Sequence, residues 1–166
     1  MRVIVGLGNP GVDYVGTRHN AGLLLVEQIA SNANNASNYG WRKHFDALIY
    51  KTADLVLVKS KDIFMNESGR LLQGLPEGEL YIAHDDLDLK LGEFKIQFEK
   101  GPKGHHGLES IEGALGKKDF WRIRIGIDKR TAPIDGETYV LQKFTSEEKV
   151  ILDKTLDAIT ETINTN

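Results

Sequence analysis

Two hydrophobic periods alternate along the chain. Residues 2–6 (RVIVG) form a short run rich in β-branched residues, the pattern of a buried strand. Residues 8–17 are turn-rich. Leu23, Val26 and Ile29 then recur at helical spacing, predicting a helix. Residues 31–40 (SNANNASNYG) are polar and turn-prone, a surface loop or frayed helix end. Residues 47–50 and 55–59 are β-rich runs joined by four polar residues, which predicts an antiparallel hairpin. Residues 65–75 read as a helix closed by Gly74, Pro76 and Gly78. Residues 79–83 form a second buried strand that delivers His84, Asp85 and Asp86 at its C-terminal end. Residues 93–98 alternate, the glycine-rich loop 101–107 leads into a helix over 108–115, and 120–127 (FWRIRIGI) alternate again. Thr145 and Glu148 have capping-box spacing, and Leu152, Leu156, Ile159 and Ile163 make one helical stripe after them. The expected architecture is α/β: a single domain over 1–166, with a twisted mixed parallel and antiparallel sheet and helices on both faces.

Composition narrows the function classes. Hydrophobic residues at 40% and charged residues at 27% are ordinary for a globular chain. The chain has no cysteine, which excludes disulfides, thiolate nucleophiles and Cys-based metal sites. No apolar run approaches the roughly 20 residues that span a bilayer. The N-terminus lacks the longer apolar run of a signal peptide, so the expected location is the cytoplasm. A net charge of −3 argues against a generic nucleic-acid binder but leaves room for local basic patches. Residues 41–44, 59–61, 100–103 and 117–118 are such patches, each equally readable as a solvated face.

The stretch GLGNPG at 6–11 has the G-x-G-x-x-G spacing of a dinucleotide site. Its context is wrong for one. Pro10 removes an N–H that would meet phosphate, and Thr17 is a natural N-cap for a later helix start. The next strands read as a hairpin instead of a βαβ unit, and no acidic residue follows at the ribose position.

Hydrolytic chemistry fits the polar residues better. His19 with Asp85 or Asp86 supplies a general base and the carboxylate that orients it. Asn9 and Asn66 carry donors and acceptors able to hold a carbonyl and a water. The structural alternatives are a turn role for Asn9 and hydrogen-bonded surface roles for single histidines, His44 among them. His84, Asp85, Asp86, Asp88, His105 and His106 are possible metal ligands. Their spacing matches no EF-hand or H-E-x-x-H pattern, and neighbours such as Asp85 and Asp86 on a strand face opposite ways.

Taken in order, GLGNPG with Tyr14, TRHNAG at 17–22, FMNESG at 64–69, HDDLD at 84–88, GHHGLESI at 104–111 and RIRIG at 122–126 resemble the bacterial-type peptidyl-tRNA hydrolases. The resemblance covers nearly the whole chain. It implies hydrolysis of the ester joining a peptide to the 3′ ribose of tRNA, with no metal or cofactor, by a monomer acting on peptidyl-tRNA without an obligate protein partner. His19 matches the catalytic base and Asp85 its orienting carboxylate. Asn9 and Asn66 match residues that bind peptide and position water, and Tyr14, Asn20 and Met65 match further residues lining the site.

Three departures stand out. The family's G-H-N-G loop reads Gly104-His105-His106-Gly107, so His106 stands where an amide helps hold substrate. Of two basic positions that grip the tRNA 5′-phosphate, Arg124 matches, but the other falls on Gln97; Lys95 and Lys103 are candidates to compensate. The chain is also shorter than typical members around 69–76 and at its C-terminus. These departures leave an alternative: a family-fold RNA-binding protein with reduced or lost hydrolysis.

Overall fold

The computed structural model of the protein describes residues 1–33 and 40–165. Its strands are β1 (Arg2–Gly6), β2 (Arg42–His44), β3 (Ala47–Lys51), β4 (Leu55–Ser60), β5 (Glu79–Lys90), β6 (Phe94–Phe98) and β7 (Trp121–Asp128). The helices are α1 (Ala21–Ala33), α2 (His106–Leu115), α3 (Gly136–Leu141) and α4 (Ser146–Thr165). The strands form one seven-stranded sheet in the order β2-β3-β4-β1-β5-β7-β6. Its centre, β4-β1-β5-β7, is parallel, and antiparallel pairs close both edges.

Side chains alternate across the sheet to build two cores. Ile4, Leu57, Ala83, Ile123 and Ile125 pack under α1 and α4, where the predicted stripe Leu152, Leu156, Ile159 and Ile163 is buried. Val3, Val5, Val56, Val58 and Ile82 face α2 and the 3₁₀ segment Met65–Leu72. No described helix is long and apolar enough to cross a membrane.

Several expectations are corrected. The 47–51 and 55–60 hairpin is present, but β4 also lies parallel to β1, so β1, α1 and β4 do make a parallel crossover with β2 and β3 inserted in it. The edge strand β2 occupies part of the basic stretch 41–44, and charged residues on an edge discourage further pairing. Strand β5 does not stop at Ala83. It runs to Lys90 because β7 pairs with it through Asp86, so the ladder overrides the poor strand propensity of His-Asp-Asp. The helix expected over 65–75 is a kinked 3₁₀ segment ending at Leu72. There the Gly69 N–H donates to Ser110 Oγ on α2, and the Ser68 hydroxyl turns back to the Met65 carbonyl. Of the polar stretch 31–40, residues 31–33 finish α1 and 34–39 lie outside the described residues.

One close approach positions everything that follows. Helix α1 meets β1 and β5 so tightly that a Cβ on Gly22 would lie 2.0 Å from the Ala83 carbonyl oxygen. Backbone bonds lock the contact: Leu7 N–H donates to Ala83 O at 3.0 Å and Leu23 N–H to Leu7 O at 3.0 Å. Overpacking of this kind costs up to about 3 kcal/mol when the obstacle is backbone. Gly22→Ala is expected to lower stability by that order in urea unfolding; a loss below ~0.5 kcal/mol would show that the helix can simply lift.

Candidate functional site

The loop after β1 does not lead directly into a helix N-terminus. Helix α1 begins at Ala21, ten residues beyond Gly11, whose φ of 101° makes the turn that only glycine takes without strain. The intervening chain forms two 3₁₀ turns, Val12–Tyr14 and Arg18–Asn20. The second presents His19 beside Asp85 on β5.

Arg18 anchors that turn. Its guanidinium is buried, donates to Glu148 Oε1 at 2.7 Å and to the Tyr139 carbonyl, and stacks 4.1 Å over the Tyr139 ring. Glu148 is also the predicted capping-box residue: Thr145 N–H donates to Glu148 Oε1, and Glu148 N–H donates to Thr145 Oγ1. Burial would raise the Glu148 carboxyl, yet the Thr145 amide and the Arg18 charge hold it below its ordinary value. The sequence reading had the cap but not Arg18; a guanidinium flanking His19 carried no visible sign of its partner 130 residues away.

His19 Nδ1 lies 2.9 Å from both oxygens of Asp85, and His105 Nε2 lies 2.9 Å from Oδ1. Tautomers follow from the remaining contacts. His105 Nδ1 accepts the Leu108 N–H, so its Nε2 carries the proton and donates to Asp85. An ionised Asp85 is acceptor-only, so His19 also donates, from Nδ1. The lone pair of His19 is thereby placed on Nε2, which neither bond uses. Asp85 is buried, which raises a carboxyl, but the two histidines beside it pull it well below the usual carboxylate range. Burial lowers His19, and the charge and hydrogen bond of Asp85 outweigh that, leaving its pKa raised.

His84 and Asp86 flank Asp85 on β5. His84 is fully buried, donates from Nδ1 to the Asp85 carbonyl at 2.8 Å and packs edge-on against the His105 ring. Burial pushes its pKa down to about 3, so it is neutral. Asp86 points away from His19, as strand alternation predicts. It accepts from Arg124 Nε at 2.7 Å, while Arg124 Nη1 donates to Gln97 Oε1 at 2.7 Å.

A cleft of about 750 Å³ opens over His19, Asp85 and His105. Asn9, Tyr14, Met65, Asn66, Lys103 and His106 line it. Asn9 has a structural task as well: its Oδ1 accepts the Met65 N–H at 2.7 Å, and its NH2 is engaged in none of these bonds. Asn20 is corrected to a supporting position. It is buried behind Asn9, bonding Asn9 N–H through Oδ1 and Asn9 O through Nδ2. Lys95 lies outside the cleft, in a separate depression with Arg2 and Trp121 at the other end of the strands. His106 stands exposed at the first turn of α2, 3.3 Å from Glu109. His44 has the hydrogen-bonded surface role weighed for it, 3.0 Å from Gly74 O.

Sequence reasoning missed the apolar wall. Phe64, Leu87, Val140 and Leu141 line the cleft, and Phe64 meets the Tyr14 ring edge-on. The last two lie on α3, whose cap, Asp135 accepting from Thr138, was readable as D-x-x-T. The sequence offers His105 as a possible metal ligand and as part of the G-H-H-G loop, and its bond to Asp85 has no separate sequence signal. Among the described residues, the one cluster of three potential ligands close enough to share an ion is His19, Asp85 and His105.

This arrangement can take a proton from a molecule held against His19 Nε2, with Asp85 stabilising the imidazolium that forms. Comparisons with known proteins agree on a family. The family described as Peptidyl-tRNA hydrolase matches residues 3–166. A peptidyl-tRNA hydrolase of Desulfitobacterium hafniense (strain Y51) is 36% identical over 166 residues, covering 95% of this chain and 88% of that protein. One from Mycobacterium avium (strain 104) is 38% identical over 154 residues, covering 89% and 81%. The crystal structure of peptidyl-tRNA hydrolase from Acinetobacter baumannii superposes with a TM-score of 0.83 at 30% identity, covering 99% of this chain and 87% of that one. The chain belongs to the peptidyl-tRNA hydrolase family.

Proposed function

We propose that the protein hydrolyses the ester between a peptide, or an N-blocked amino acid, and the 3′ ribose of tRNA, acting as a monomer in the cytoplasm. The observation that carries the mechanism is the pair of 2.9 Å contacts from His19 Nδ1 to Asp85, which leave Nε2 as the proton acceptor in the cleft. Water bound against Nε2 gives it a proton as its oxygen attacks the ester carbonyl carbon. The resulting tetrahedral oxyanion is held by amide donors, for which Asn9 and Asn66 are best placed. On collapse, the bond to the ribose 3′ oxygen breaks and that oxygen takes the proton from the His19 imidazolium. Asp85 stays ionised throughout and stabilises the imidazolium.

Substrate contacts follow the same cleft. Tyr14, Met65 and the wall of Phe64, Leu87, Val140 and Leu141 suit the apolar parts of a peptide, with His106 at the rim and Asn20 holding Asn9. For the tRNA phosphates, the proposed contacts are Lys103 beside the cleft, Arg124 and, across the β6–β7 pair from it, Lys95. Arg124 already shares its charge with Asp86, so its contribution is to affinity and salt dependence, not to the chemical step.

Release of N-acetyl-amino acid from charged tRNA tests the reading. His19→Ala is expected to lose at least ~100-fold in kcat, the scale of a general base. An inactive wild-type protein would instead favour an RNA-binding role, and an unimpaired variant would overturn the mechanism. Activity depends on neutral His19. Because Asp85 raises its pKa, the rate is expected to climb with pH through a midpoint above 6.5. Asp85→Asn should move that midpoint to lower pH while cutting the maximal rate; an unmoved midpoint would separate Asp85 from the titrating group. His106→Asn is expected to keep or raise activity, and a collapse would give His106 a role of its own.

A further inference from the structure

The carboxylate of Asp85 and the two ring nitrogens that meet it have a second reading besides their hydrogen bonds. His19 Nδ1, one Asp85 oxygen and His105 Nε2 all lie within 4.8 Å of one another. Both N···O distances are 2.9 Å. Two ligands at about 2.1 Å on a tetrahedral metal stand about 3.4 Å apart, so each His–Asp pair has to open by only about 0.5 Å to become adjacent metal ligands. Two imidazoles and one carboxylate are also a donor set that suits zinc and its neighbours far better than magnesium or calcium. The site is reached from a cleft of about 750 Å³, so a hydrated ion has an approach and a water can complete the coordination.

We propose that His19, Asp85 and His105 form an inhibitory binding site for a divalent transition ion of the zinc type. The ion takes the place of the two protons that now lie between the imidazoles and the carboxylate. A neutral imidazole that coordinates through one nitrogen keeps its proton on the other. Coordination through His19 Nδ1 therefore puts the proton on Nε2, the atom proposed to accept a proton from water. The base is removed without displacing a side chain from the cleft. For His105, coordination through Nε2 protonates Nδ1 and ends its acceptance of the Leu108 N–H, a long bond at 3.3 Å. The two nitrogens must also draw inward, because bonds of about 2.1 Å set them no more than about 4 Å apart. Both demands limit affinity, and they place the ion among reversible inhibitors.

The inhibition rests on the proposed role of His19, whereas ion binding does not, so calorimetric titration with zinc chloride alone tests the site independently of activity. One equivalent is expected to bind the wild-type protein, with magnesium chloride giving no heat above dilution. His105→Gln and His19→Asn are each expected to weaken zinc binding at least ~10-fold, while His44→Gln, remote from the cleft, leaves it unchanged. Circular dichroism of each variant confirms that it is folded. In the hydrolysis assay, zinc is expected to inhibit and a chelator to restore the rate. Zinc binding that survives both cleft substitutions would overturn the site, and full hydrolysis at saturating zinc would overturn its inhibitory character.

Discussion

A buried carboxylate must be given donors, and Asp85 takes them from two histidines carried by distant parts of the chain. Desolvating one such ion costs several kcal/mol, while each hydrogen bond to a charged group returns about 1.5–3 kcal/mol. Both bonds therefore help to keep Asp85 ionised at the bottom of the cleft. The rest of the site depends on that balance. It fixes the His19 tautomer, raises the pKa of the ring and holds the start of α2 against β5. His84 adds to it by gripping the backbone of the same residue, with a ring kept neutral by burial.

The scaffold is shaped to make that meeting possible. Gly22 lets α1 sit on β1 and β5 at backbone contact, which brings the Arg18–Asn20 turn over the end of the sheet. The Asn20 amide then clasps the backbone N–H and C=O of Asn9, and the Asn9 side chain reaches on to accept the Met65 N–H. In this way one asparagine ties the β1 loop, the α1 approach and the 3₁₀ segment into a single rigid wall.

Much of this was readable from residues alone, for identifiable reasons. Local patterns survived: the strand at 2–6, the hairpin, the capping box and the stripe on α4 depend on neighbours within one or two turns. The GLGNPG stretch was separable from a dinucleotide loop because proline and a late N-cap are also local signals. What failed were features decided by partners far along the chain. Strand β5 continues through polar residues because β7 lies beside it, and the 65–75 helix tightens because Ser110 takes the Gly69 N–H. The second donor to Asp85 was hidden for the same reason, since the G-H-H-G loop does not say where its first ring will point. His19, Asp85 and Asn9 came forward on their chemistry and on the family resemblance together.

Glu148 holds two posts at once, closing the first turn of α4 and neutralising the guanidinium next to His19. A chain made from its N-terminus therefore carries His19 long before it carries the residue that seats the neighbouring Arg18. Until α4 emerges and docks, Arg18 has no counter-ion, and the histidine turn has lost its anchor on that side.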